Sequence, residues 1–300
     1  MSLLERAFTK ARARKARLLL PETDDPRIAE AATRLRDEGL AEPLTPDPAA
    51  PLDHYIPLLQ RNRPGLKPAL ALRMLERPLI RAAAMVAAGE ADCLVAGAVA
   101  PTRRVIEAAQ LGIGMAPGIS TPSSFFAMLL PDGREFIFAD CGFHVAPDTD
   151  ELADIARASS RTALALTGRA DLALLSYSTG RSGSGPGVDR LHAVAATLRE
   201  EGLSVQGPVQ GDAALNPAIA RRKGIKGGGQ ANVLIFPSLD AGNIAYKLAQ
   251  ELAGAQALGP ILQGFAHPVS DLSRGATTDD IIAITATTLA LAPESTAETG

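Results

Sequence analysis

The feature that most constrains this chain is an alternation of short apolar runs with longer stretches of helical period. Arg17-Leu18-Leu19-Leu20-Pro21 reads as a buried strand stopped by proline. Asp25-Pro26-Arg27 then opens a helix to about Asp37, with Asp25 as its cap and Pro26 in its first turn. Residues 91–97 form the next strand, and a helix from Thr102 sets Val105, Ile106 and Ala109 on one face. Residues 124–130 and 134–139 flank the turn Pro131-Asp132-Gly133 and predict a hairpin. Beyond it come a helix over 150–167, a strand over 172–178, a helix over 188–201, a strand over 233–237 and helices over 241–254 and 278–292. Residues 41–51, rich in Pro and Ala, read as a loop, and 292–300 as a frayed tail.

This order predicts an α/β fold with a mostly parallel sheet covered by helices on both faces. Ligands of such sheets bind beyond the carboxyl ends of the strands. Those ends carry the polar clusters here: Pro21-Glu22, 97–102, 140–144, 176–187 and 236–243. The length of 300 residues suits two domains, with a seam near Pro131-Asp132-Gly133.

Composition removes several function classes. The net charge is −3 and aromatic residues are 4%, with no Trp, which argues against a general nucleic-acid binder or a base-stacking surface. No apolar run approaches the roughly 18–20 residues of a membrane-spanning helix, and no signal core follows the basic N-terminal residues. Two cysteines, Cys93 and Cys141, make no disulfide framework, and the His, Cys and carboxylate spacings suggest no metal site. A cytoplasmic protein without membrane or nucleic-acid partners is the expectation.

Four segments could carry chemistry. The run 176–187 offers the hydroxyls of Ser178 and Thr179, close backbone approach at Gly180 and a following helix N-terminus, a combination suited to phosphate. It lacks the GK[ST] ending of a Walker loop and the GxGxxG spacing of a dinucleotide site, so a flexible Gly/Ser connection competes with that reading. In Asp271-Leu272-Ser273-Arg274-Gly275, Arg274 is a two-pronged phosphate donor with Ser273 beside it. Thr277 or Thr278 caps the next helix and puts Asp279 and Asp280 in its first turn; Asp279 reads as a surface residue matching the helix dipole, and Asp280 is left open. In 232–247, Asp240 caps a helix on which Asn243 and Lys247 stand one turn apart beside Tyr246. Arg77, Arg81, Arg103 and Arg104 are basic candidates for a polyanionic ligand, and Cys141 reads as a buried structural thiol rather than a nucleophile.

The long motifs, taken in order, resemble the phosphate acetyltransferase members of the phosphate acetyl/butyryl transferase family over nearly the whole chain. They are Ala91-Asp92-Cys93-Leu94-Val95-Ala96-Gly97-Ala98-Val99, Phe138-Ala139-Asp140-Cys141, Leu174-Leu175-Ser176-Tyr177-Ser178-Thr179, the stretch from Ala231 to Lys247, and the stretch from Gly259 to Gly275. The resemblance implies two three-layer α/β/α domains with a cleft between them, domain I being 1–131 plus 264–300 and domain II 132–263, in a homodimer. It implies reversible acetyl transfer between CoA and phosphate, with CoA, acetyl-CoA, phosphate and acetyl phosphate as substrates and no cofactor or metal. By resemblance Asp280 matches the base for the CoA thiol, Arg274 the phosphate grip and Ser273 the transition-state donor, with direct thiolate attack on acetyl phosphate in a ternary complex. Ser178, Thr179, Gly180, Asn243, Tyr246, Lys247, Arg103 and Arg104 are then the expected substrate contacts. The chain departs from many relatives at Gly118-Ile119-Ser120-Thr121-Pro122, where they carry a basic residue used for CoA. A phosphate butyryltransferase and a non-catalytic acetyl-CoA-sensing domain, of the kind appended to some malic enzymes, are the alternatives. Retention of Ser273, Arg274 and Asp280 favours the enzyme.

Overall fold

The computed structural model describes residues 1–292. The expected tail from 292 onward lies, past its first residue, outside the described residues. In chain order the strands are β1 (Arg17–Leu19), β2 (Glu42–Leu44), β3 (Cys93–Ala96), β4 (Ser123–Leu129), β5 (Glu135–Ala139), β6 (Leu172–Leu175), β7 (Val205–Val209), β8 (Val233–Ile235), β9 (Gln256–Gln263) and β10 (Val269–Asp271). The helices are α1 (Leu3–Arg14), α2 (Pro26–Asp37), α3 (Ile56–Asn62), α4 (Pro68–Leu75), α5 (Pro78–Ala87), α6 (Thr102–Ala108), α7 (Thr149–Thr167), α8 (Pro186–Glu200), α9 (Gly211–Leu215), α10 (Pro217–Arg222), α11 (Leu239–Ala253) and α12 (Thr278–Ala290). No helix among the described residues is long and apolar enough to cross a membrane.

The chain separates into two compact units, Met1–Ile119 with Gly259–Gly300, and Ser120–Leu258. The first seam therefore falls before the hairpin rather than at its turn. Both arms of the hairpin belong with the same strands: β4 pairs with β5 and β5 with β8.

In unit 1 the strand order is β2-β1-β3-β10-β9, parallel except for the last pair. Helices α1, α2 and α12 pack together, and α3 to α6 form a second group. The expected loop over 41–51 contains β2, in register with β1 through Leu18 and Pro43. Pro43 has no N–H to donate, and β2 is an edge strand, where that loss is tolerated. The run Leu18, Leu19 and Leu20 and the whole of β3 are buried, as a parallel strand covered on both faces requires.

In unit 2 the order is β4-β5-β8-β6-β7, with one antiparallel pair, the hairpin. Period-2 alternation on β4 and β5 sends Phe126, Met128, Phe136 and Phe138 into one cluster with Leu234, Phe236 and Cys141, against which Tyr246 of α11 packs. The α7 helix packs on β4, β5 and β8. It begins in a capping box, Asp148 with Glu151, and ends at Gly168 in the left-handed region. The strand expected over 172–178 stops at Leu175, and Ser176 to Ser178 begin the polar loop instead.

Candidate functional site

In unit 1 the carboxyl ends of the parallel strands β1, β3 and β10 lie side by side. The Glu22 carboxylate, just past β1, accepts four successive backbone N–H groups of the turn after β3. Its Oε2 takes Gly97 at 2.7 Å and Ala98 at 2.9 Å, and its Oε1 takes Val99 at 3.3 Å and Ala100 at 2.7 Å. Such a nest of amides is an anion site, and here the chain's own carboxylate fills it. Gly97 has φ +108°, and a Cβ there would overlap Asp271 Oδ1 and the Leu272 amide. Glycine thus lets the end of β3 approach the end of β10.

Asp271 ends β10 and is 1% exposed. Its Oδ2 accepts the Thr102 hydroxyl at 2.6 Å, while its Oδ1 is buried without a partner. Burial, with the Glu22 charge adding to it against the Thr102 hydrogen bond, pushes its carboxyl up to about 7. Next come Ser273 and Arg274, both exposed. Ser273 Oγ accepts the Gly275 amide at 3.3 Å, and its own hydrogen has no acceptor among the described residues. Arg274 has no ion pair among the described residues.

Thr277 caps α12, as expected. Its Oγ1 accepts the Asp280 amide at 3.2 Å, and Asp280 Oδ2 accepts from the Thr277 amide at 3.0 Å and hydroxyl at 2.8 Å. Asp280 is therefore the reciprocal partner of a capping box, with Oδ1 left over. Asp279 pairs with Arg34 at 2.7 Å on the surface.

Arg103 and Arg104 lie in the first turn of α6, both exposed. Arg104 pairs with Glu107 at 2.8 Å and lines a cavity of about 510 Å³ together with Arg77, Glu22, Leu79 and Val99. Arg81 instead turns inward and donates to the Leu75 carbonyl at 3.2 Å and the Asp47 carbonyl at 2.7 Å.

In unit 2 the loop after β6 is knitted to itself. Ser178 is 1% exposed, and its Oγ accepts the Gly183 amide at 2.8 Å. The Thr179 amide donates to Ser182 Oγ at 2.9 Å, and the Thr179 hydroxyl donates to Gln210 Oε1 at 3.2 Å. Gly180 has φ +56° and binds the Pro208 carbonyl through its amide at 2.9 Å. The hydroxyls of Ser178 and Thr179 thus hold the loop's shape.

On α11 a Cβ at Gly242 would meet the Asp140 carbonyl and Cys141 Sγ, so glycine lets this helix sit directly on residues 140–141. Asn243 Nδ2 then donates to the Cys141 carbonyl at 3.3 Å. Tyr246 stacks on Phe126 with centroids 4.1 Å apart, and the exposed Lys247 places its Nζ 5.1 Å from the Tyr246 ring centre. The Asp140 carboxylate accepts the Ser124 hydroxyl, the Gly142 amide at 3.1 Å and the His144 amide at 2.6 Å. Burial pushes the Cys141 thiol well up, which leaves it a structural thiol rather than a thiolate nucleophile. Among the described residues no three His, Cys, Asp or Glu side chains are grouped so as to hold a metal.

Residues 48–289 match the family described as phosphate acetyl/butaryl transferase. The chain belongs to this family. A relative in Paracoccus denitrificans, named phosphate acetyltransferase, is 41% identical over 96% of this chain and 98% of its own length. One of the same name in Deinococcus radiodurans is 38% identical over 97% of this chain, which spans 46% of that longer protein. The crystal structure of a phosphotransacetylase from Streptococcus pyogenes superposes with a TM-score of 0.89 at 33% identity, covering 96% of this chain and 97% of that one.

In this phosphate acetyl/butaryl transferase family member, three polar groups outside the expected site residues hold the loops in place, Glu22 and Asp140 at strand ends and Arg27 in the first turn of α2. Glu22 and Asp140 belong to the polar clusters at the strand ends, and each is a carboxylate that accepts backbone amides. Arg27 carried no signal beyond its place after the helix-opening Pro26.

Proposed function

We propose that this chain catalyses reversible transfer of an acetyl group between CoA and phosphate. The supporting observation is Arg274: an exposed guanidinium that among the described residues has no ion pair, beside the Ser273 hydroxyl, which among them has no acceptor, in a chain whose relatives bear the name phosphate acetyltransferase. In the direction of CoA acetylation, the Asp280 carboxylate takes the thiol proton and the sulfur attacks the acetyl carbon of acetyl phosphate. The carbon–oxygen bond to phosphate breaks, and phosphate leaves with the electron pair. Arg274 grips the phosphate oxygens through its paired donors, and Ser273 donates to the oxygen on which charge develops. No acyl-enzyme forms, and CoA is substrate rather than cofactor.

Arg103 and Arg104 serve the CoA phosphates, Arg104 from the rim of the cavity at the ends of β1 and β3. Ser178, Thr179, Gly180, Asn243, Tyr246 and Lys247 serve substrate binding, the first three through the shape of their loop and Lys247 through its exposed charge. The protein works in the cytoplasm, a setting consistent with two buried, unpaired cysteines. It works as a homodimer, supported by an exposed apolar stripe on α11: Ile244, Leu248 and Leu252, 57%, 51% and 82% exposed.

The test is thioester absorbance with CoA and acetyl, propionyl or butyryl phosphate. Acetyl phosphate is expected to give the highest kcat/KM. Arg274→Ala is expected to lower it at least about a hundredfold, mostly by losing transition-state charge stabilisation. CoA binding without thioester formation would mark a sensor and overturn the proposal. Preference for butyryl phosphate would keep the chemistry and reassign the acyl group.

A further inference from the structure

Arg27 lies in the first turn of α2, and its side chain spends every donor it has within unit 1. Nε donates to Asp25 Oδ1 at 3.0 Å and one terminal nitrogen to Asp25 Oδ2 at 2.7 Å, a two-pronged pair. That same nitrogen reaches the Ala98 carbonyl at 3.2 Å. The other terminal nitrogen donates to the Arg274 carbonyl at 2.8 Å and to the Ala276 carbonyl at 2.8 Å. A guanidinium has five N–H groups in a rigid fork, and these five bonds use all of them. None is left for an anionic substrate, so Arg27 is not itself a phosphate ligand.

Its partners show what it does instead. Ala98 belongs to the turn that Glu22 holds by four amides, whereas Arg274 and Ala276 belong to the loop between β10 and α12. The latter loop is held at its start by the Leu272 amide on the Ala96 carbonyl at 2.7 Å and at its end by the Thr277 cap. Between them, apart from Arg27, the only bonds among the described residues stay within the loop, the Ala276 amide to the Ser273 carbonyl at 2.9 Å and the Gly275 amide to Ser273 Oγ at 3.3 Å, and Ser273 and Arg274 are exposed. We propose that Arg27 is the positioning residue of the Ser273–Arg274 loop, clamping its main-chain carbonyls to the Glu22-bound turn after β3, with Asp25 holding the clamp. This rests on the role proposed above for Ser273 and Arg274. A lysine cannot replace it, since an ammonium has three donors and no planar fork.

The experiment compares wild type, Arg27→Ala and Arg27→Lys by steady-state kinetics, thermal melting and amide hydrogen exchange. Arg27→Ala is expected to lower kcat about a hundredfold, the scale of loss for reacting groups displaced by about an ångström, with a smaller change in the CoA KM. Added methylguanidinium is expected to restore part of that loss. Arg27→Lys is expected to stay impaired, and exchange at residues 275–277 to quicken in both variants while α8 stays unchanged. Wild-type kcat in Arg27→Ala overturns the proposal. So does a variant that melts early or fails to fold and is not rescued by methylguanidinium, for that outcome makes Arg27 a stability residue only. If wild type itself makes no thioester, the functional reading fails, and the exchange comparison alone decides the clamp.

Discussion

Asp271 is a carboxyl whose neighbours oppose its charge. It is buried at the end of β10, the Glu22 carboxylate is its charged neighbour, and only the Thr102 hydroxyl favours ionisation. In the unfolded chain an aspartate ionises near pH 4, but in the folded protein not until about 7. Between those values the native state holds more protons than the unfolded state. Its stabilising contribution is therefore full below pH about 4 and is lost as pH rises through 7. Asp271→Asn, a permanently neutral analogue, is expected to melt above wild type at pH 8 and close to it at pH 4.5. A wild-type advantage at pH 8 would show that Asp271 is held ionised. Asp25 shows the opposite sign: its hydrogen bond to Arg27 holds it below the usual carboxylate range, so what it contributes is present above pH about 4 and fades only below that. Neither environment was legible from the chain, because both depend on groups brought in from elsewhere. Arg27 makes the point most sharply: besides the nearby Asp25 carboxylate, its acceptors are carbonyls of residues 98, 274 and 276, and every residue has a carbonyl. The capping role of Asp25 was legible, since it depends only on the next few residues.

Among the elements, α11 illustrates how one small residue sets the position of a helix. Its N-cap, Ser238, accepts the Ala241 amide at 3.3 Å, where Asp240 had been expected to cap. Asp240 lies instead in the first turn, still matched to the dipole. Gly242 is the contact that fixes depth. Gly242→Ala is expected to destabilise by about 1–3 kcal/mol through overpacking against the backbone of residue 140, which cannot swing away as a side chain would. A denaturant midpoint equal to wild type would show that the helix can shift. Short strands were the least legible elements. The three-residue β10 is too brief for a period to show, and β2 carries a proline. The hairpin was legible because its turn residues and its alternating aromatics are both local signals.

For the whole molecule, the α/β class followed from the alternation of runs. The seam did not, because the hairpin's turn is a strong local signal and strand partnership is not local at all. The stripe on α11 carries the proposal of a second copy of the chain. Replacing Leu248 and Leu252 together by Glu is expected to convert a dimer to a monomer in light scattering. A wild-type monomer at micromolar concentration would remove the proposal, and a variant that stays dimeric would move the interface elsewhere.

The carboxylate of Glu22, seated in its ring of four amides, bears on affinity as well as on shape. A turn that had to gather around an incoming ligand would lose its conformational freedom at the moment of encounter, and affinity would suffer accordingly. Here that freedom is surrendered when the chain folds. Residues 97–100 should therefore present the same contour whatever arrives, and at the proposed site selection among anions falls to the side chains that line the cavity, Arg77 and Arg104, rather than to the backbone.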